Sequence, residues 1–173
     1  MGMTPSEEQG FAAFVRERGD RLLRYAHLLV ADRAEAEDVL QVALMRVARH
    51  WSKGLDAPEA YVRTAILNTV RDGARRRHLV PIPAEPAGDQ RHSDGDHSDA
   101  LAARSRLEGL LGVLPPRQRA TVVLRVIEGL SEAETATALD CSVGTVKSNL
   151  ARGLDKVRTV LAAEAGPKER TRR

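Results

Sequence analysis

The stretch Ser131 to Leu161, SEAETATALDCSVGTVKSNLARGLDKVRTVL, decides the fold. Ser131 with Glu134 three residues later spells a capping box, in which each side chain satisfies an orphan N–H at a helix start. The spacing predicts a short helix from there to Leu139. Asp140-Cys141-Ser142 then interrupts the apolar pattern, and Ser142 is a second N-cap residue type. In the helix that follows, Val146, Leu150, Leu154, Val157 and Leu161 recur at three- and four-residue steps, so one face packs and the other is free. Thr145, Lys147, Ser148 and Arg152 are the free or flanking positions near its start. Small hydroxyls and long cations there suit a helix that enters a DNA major groove, where Arg and Lys pair with guanine edges. The stretch reads as helix, tight turn and recognition helix. A helical hairpin with a solvated basic face is the competing reading.

Immediately upstream, the segment Arg117 to Glu128 is expected to bury Ala120, Val123, Leu124 and Ile127. Gly129 supplies a left-handed position at its end, and Pro116 suits a first helical residue. Leu107, Leu110, Leu111 and Leu114 mark one more helix, stopped by Pro115-Pro116. From Leu79 to Ala100 the period vanishes into Pro, Gly, Ser and Asp, which reads as a flexible linker. Five carboxylates (85, 89, 94, 96, 99) against Arg91 alone make it acidic. His92 and His97 lie there, but a flexible loop offers no second shell to orient metal ligands. At the other end, KERTRR forms a basic tail with no means of packing.

The N-terminal part holds three more helices. Phe11 to Val30 is amphipathic; Asp32 with Glu35 caps a second helix whose apolar face runs from Ala36 to Trp51. After a Ser52 to Ala57 loop, Pro58 opens a third helix that reaches about Arg77. Its wheel is expected to put Tyr61, Val62, Ala65, Ile66, Thr69 and Gly73 on one side and Thr64, Asn68, Arg71 and Arg75 on the other. Between Arg63 and Arg77, five arginines against Asp72 give a cationic footprint suited to a phosphate backbone. A solvated basic helix end is the plainer explanation.

Composition narrows the function classes. Of 173 residues, 42% are hydrophobic and 3% aromatic, so the cores must be built from Ala, Leu and Val, which favours helix on helix. A single cysteine, Cys141, rules out an intrachain disulfide and suits a reducing compartment. No run is long enough to cross a bilayer, and MGMTPSEEQG lacks signal-peptide features, so a cytoplasmic protein without membrane contact is expected. No nucleophile motif, zinc-ligand spacing or phosphate-binding glycine loop is present, so no catalytic, cofactor-binding or metal-ligating residues are assigned and no cofactor is expected. Cys141 in the turn reads as a packing residue.

Three phrases in register, AEAEDVLQVALMRVARHW (34–51), PEAYVRTAILNTVRDGARRR (58–77) and LPPRQRATVVLRVIEGLSEAETATALDCSVGTVKSNLARGL (114–154), resemble extracytoplasmic-function RNA polymerase sigma factors, in particular the sigma-E-like subgroup of GC-rich bacteria. The resemblance implies an all-α protein of two small helical domains on a flexible acidic linker. Region 2, a three-helix bundle, would span 8–78, the linker 79–100, the region 4 helix-turn-helix 101–163 and a disordered tail 164–173. It implies core RNA polymerase as partner, through the largest-subunit clamp helices and the flap, with Asp38 and Gln41 at the clamp. Promoter DNA is the second partner. Asn68, Arg71, Arg75, Arg76 and Arg77 match −10 element positions, and Thr145, Lys147, Ser148 and Arg152 match −35 element positions. The −10 pocket is expected mainly from the Ser52 to Ala57 loop, and the acidic linker is expected to imitate RNA inside the polymerase. Many relatives are held by an anti-sigma factor, so such a partner is admitted, although no motif identifies it. The alternative is a stand-alone helix-turn-helix regulator, which would carry a ligand or dimerisation module in place of the first domain.

Overall fold

The structure, a computed structural model, describes residues 3–52, 54–79 and 98–164, with side chains for all of these except 74–79, 98 and 100. Among the described residues every regular element is helical, and the chain divides into two compact units, Met1–Asp96 and His97–Arg173.

In the first unit α1 (Pro5–Val30), α2 (Arg33–Trp51) and α3 (Pro58–Leu79) pack against one another as a three-helix bundle. Helix α1 starts earlier than the apolar period indicated because Thr4 and Glu7 form a full capping box with Pro5 as first helical residue. Asp32 caps α2 by accepting from the Glu35 N–H at 2.7 Å. The core is a column of small and branched side chains: Leu22, Ala26 and Leu29 from α1, Ala36, Ala43 and Val47 from α2, and Val62 and Ile66 from α3. At one end Trp51 closes the bundle between Phe11 and Phe14, at ring centroid distances of 5.2 and 5.3 Å. The expected face of α3 needs correction. Tyr61 is exposed, whereas Leu67 and Val70 are buried. Because α3 packs on both α1 and α2, it buries a wider arc than a single stripe, and Tyr61 falls at its edge, beside the His50 ring of α2 at 6.0 Å.

The second unit contains α4 (Ser98–Gly112), α5 (Pro116–Val122), α6 (Glu132–Leu139) and α7 (Val143–Glu164). Residues 98–100, expected in the linker, form the first turn of α4; Leu79 is still in α3 and Glu164 still in α7. The rest of the linker (80–97) and of the tail (165–173) lies outside the described residues. Helix α5 runs into a π-helical turn, Val123–Ile127, closed by the Glu128 N–H to the Val123 carbonyl at 3.0 Å. The wider turn rotates Ile127 off the buried stripe, so Ile127 is exposed where the α-helical spacing had placed it inside. Gly129 then takes φ of 71°, the left-handed conformation that reverses the chain toward α6.

A buried arginine organises the junction between α4 and α5. Arg119 donates from Nε to the Leu111 carbonyl at 2.9 Å, and from Nη2 to the Gly112 and Leu114 carbonyls at 3.1 and 2.9 Å. The last carbonyls of a helix have no partner within it, so one guanidinium here does the work of a C-cap for α4. Helix α7 lies across α5 and α6, and Gly153 is buried where α7 meets α5.

Candidate nucleic-acid interface

The turn between α6 and α7 is built by short-range hydrogen bonds. The Ser131 N–H donates to Glu134 Oε2 at 2.8 Å while the Glu134 N–H donates to the Ser131 hydroxyl at 3.2 Å, which completes the reciprocal cap of α6. Bonding from the Ser131 hydroxyl first, and the Ser131 N–H second, holds the Glu134 carboxyl below the ordinary glutamate range; these outweigh desolvation, and the Arg125 charge acts in their direction. Asp140 ends α6 at φ of 52°, a left-handed position that Asp tolerates through its short polar side chain. Ser142 caps α7 by accepting from the Thr145 N–H at 3.1 Å.

This geometry sorts the four candidate residues of α7. Thr145 is half-buried and its hydroxyl is 2.9 Å from that of Ser142, while Ser148 donates to the Thr145 carbonyl at 3.0 Å. Both hydroxyls therefore have partners within the protein. Lys147, Ser148 and Arg152 are exposed. Lys147 Nζ lies 3.5 Å from Glu132 Oε2 on α6. Arg152 makes no ion pair among the described residues.

Cys141 sits half-buried in the turn, with its N–H bonded to the Ala136 carbonyl at 3.0 Å. Burial pushes its thiol up; the Arg117 charge pulls against this and Asp140 adds to it. A thiol kept protonated is a poor nucleophile. Iodoacetamide at pH 7.5 should therefore alkylate Cys141 severalfold more slowly than a cysteine in an unstructured peptide, as intact mass against time would show. Faster labelling would mark it as reactive.

In the first unit the candidates lie on two helices. On α2, Asp38 and Gln41 are exposed and in line with Met45, an exposed apolar residue that the sequence reading passed over. On α3, Thr64 is exposed and Asn68 and Arg71 are half-buried. Arg75, Arg76 and Arg77 belong to the last turns of α3, and their side chains lie outside the described residues. Arg63 does not share this stripe. It lies over the Tyr25 ring at 4.8 Å and pairs with Glu59 at 3.5 Å. Glu59 also receives Arg18 and Arg21, each at 3.4 Å, so this carboxylate gathers three arginines at the start of α3.

A cleft of about 670 Å³ opens between α1 and the start of α3, floored by Gly10 and Ala13 and flanked by Phe14, Arg18 and Arg63. Of the described residues of the Ser52 to Ala57 loop only Ala57 lines it, so this cleft is not the loop-built pocket expected from the sequence. Trp51, committed to Phe11 and Phe14, is not a free stacking platform. Among the described residues no group of His, Cys, Asp or Glu could hold a metal ion, and no helix is long and apolar enough to cross a membrane.

The two units carry separate likenesses. Residues 14–79 match Sigma-70 region 2, and residues 104–157 match Sigma-70, region 4. The chain is 42% identical over 161 residues to the RNA polymerase sigma-E factor of Streptomyces avermitilis, covering 92% of this chain and 89% of that one. It is 31% identical over 166 residues to the ECF RNA polymerase sigma factor SigL of Mycobacterium tuberculosis, covering 92% of this chain and 93% of its counterpart. Among solved structures, the sigma factor RpoE of Bartonella quintana, in complex with the anti-sigma factor NepR, is similar in fold. Its TM-score is 0.56 at 21% identity, over 88% of this chain and 97% of that one.

Proposed function

The chain belongs to the extracytoplasmic-function RNA polymerase sigma factors, and from that premise we propose that it binds core RNA polymerase in the cytoplasm and directs promoter-specific initiation without catalysing a reaction itself. The observation that carries this reading is the presence of region 2 and region 4 in one chain. A stand-alone regulator would have a ligand or dimerisation module where this chain has region 2.

In this reading Asp38 and Gln41, with Met45 between solvent and the same partner, dock on the polymerase clamp. Asn68, Arg71 and the 75–77 arginines engage the −10 strand as it opens. Phosphate contacts secure position while base contacts specify sequence, so a reader divided between two elements needs both kinds on each. Thr145, Lys147, Ser148 and Arg152 serve the −35 element. With two hydroxyls already bonded internally, the exposed cations supply most of the available contact there. An anti-sigma protein is a further partner, as NepR is for the Bartonella protein.

Transcription from a candidate promoter with purified core polymerase tests the proposal. Initiation should occur only when the protein is added; tight duplex binding without core, and no core-dependent transcript, would favour the regulator. Within that assay Arg152→Ala should weaken promoter binding by the holoenzyme about tenfold, the worth of one good base contact, and leave core affinity unchanged. Loss of both together would point to misfolding.

A further inference from the structure

The two exposed cations at the reading end of α7 are held differently. Arg152 has no ion pair among the described residues, whereas Lys147 is held by Glu132 at 3.5 Å. Two carboxylates stand in the first turn of α6, and Glu134 is consumed by the Ser131 cap. Glu132 is thus the one whose charge is left to face α7. A lysine is a flexible point charge that any phosphate oxygen satisfies, so by itself it adds affinity for every DNA sequence. A carboxylate beside it changes that balance. Reaching for a phosphate would cost Lys147 its partner and bring Glu132 toward like charge. Meeting a base-edge acceptor in the groove leaves the carboxylate free to keep its pairing or to accept from a cytosine amino group.

We infer that Glu132 is a positioning residue of the −35 reader: acting through Lys147, it suppresses sequence-independent phosphate contact and so raises discrimination between a correct and an incorrect element. The inference rests on the proposed placement of α7 in the major groove. It distinguishes the two cations: Arg152 makes its contact without a carboxylate beside it, whereas Glu132 restrains Lys147 from phosphates and so adds to selectivity. The macrodipole of α6 also favours an acidic residue at this position, but that role would not depend on Lys147.

The test uses holoenzyme reconstituted from core polymerase and the full chain, carrying Glu132→Gln, Lys147→Ala or both. Binding is measured from 50 to 200 mM salt on a promoter duplex and on the same duplex with a scrambled −35 element. Glu132→Gln should strengthen binding to the scrambled duplex about threefold, the scale of one exposed ion pair, with a smaller change on the promoter. The ratio between the two duplexes falls accordingly. The salt slope on the scrambled duplex should steepen by about 0.9, one added phosphate contact. In the Lys147→Ala background, Glu132→Gln should change neither quantity. An equal effect on both duplexes, no effect on either, or an effect that persists without Lys147 would overturn the inference. If the wild-type holoenzyme does not distinguish the two duplexes, the −35 reading itself fails; if it does and Lys147→Ala leaves both unaltered, the inference alone fails.

Discussion

Arg119→Met is expected to destabilise the C-terminal unit strongly and leave the N-terminal one unaffected. The guanidinium is buried and donates to three carbonyls at the end of α4 and in the turn that follows, two of them in residues that are themselves almost fully buried. Methionine fills much the same volume but offers no donor, so the Leu111 oxygen keeps only the Leu114 N–H, and the oxygen of the buried Leu114 loses the guanidinium without gaining water. Hydrogen bonds from a charged donor contribute about 1.5 to 3 kcal/mol each, and their sum is not additive, so the net loss should be about 3 to 4 kcal/mol. A unit of this size has about 4 to 12 kcal/mol in total by the usual per-residue figure. Hydrogen exchange on the full chain should therefore show protection falling across α4 to α7 and persisting across α1 to α3. Arg119→Lys, whose single ammonium cannot fork to three carbonyls, should recover part of the loss. Unchanged protection in the C-terminal unit would show that α4 is held by its apolar contacts alone.

This arginine also shows where reading the sequence stops. In LPPRQR, Arg117 and Arg119 look alike, since both are cations in a first helical turn. Only the packing separates them: Arg117 is exposed, and Arg119 turns back beneath the end of α4. The elements marked by local chemistry were legible. Ser131 with Glu134 and Asp32 with Glu35 bond in the structure as their spacing implies, because a cap involves residues three apart, and Pro116 stands as the first residue of α5. What depends on tertiary neighbours was not. The wide buried arc of α3 comes from having two partner helices, the displacement of Ile127 from one π-helical turn, and the Lys147–Glu132 pair from the angle between α6 and α7. The same division applies to the interface. Residue type and position near a helix start singled out Thr145, Lys147, Ser148 and Arg152. That two of them are already bonded to the protein, one is paired and one has no ion pair among the described residues depends on how α6 and α7 pack.

Gly153→Val should abolish −35 discrimination while core binding survives, and the reason lies in a single close approach. A Cβ built at Gly153 would sit 2.9 Å from Val122 Cγ2, with the Gln118 Cβ and carbonyl at 3.6 and 3.7 Å behind it. Val122 is buried and β-branched, so its side chain has little freedom to swing aside. Valine adds two further methyls to a space that does not admit one, and α7 must move away from α5. Arg152 is the next residue, so that movement carries the exposed cation out of register with any groove that α6 and α7 jointly enter. In an exposed helix interior, exchanging glycine for alanine stabilises by about 1 kcal/mol; here Gly153→Ala should be neutral or destabilising, which reverses the usual sign. The decisive control is Gly153→Ala combined with Val122→Ala. Removing the opposing methyls makes room for the new Cβ, so the pair should be more stable than the sum of the single changes predicts and should restore promoter selectivity toward that of Val122→Ala alone. Strict additivity of the two substitutions would mean that the α5–α7 contact is looser than 2.9 Å implies and that glycine is dispensable at this crossing.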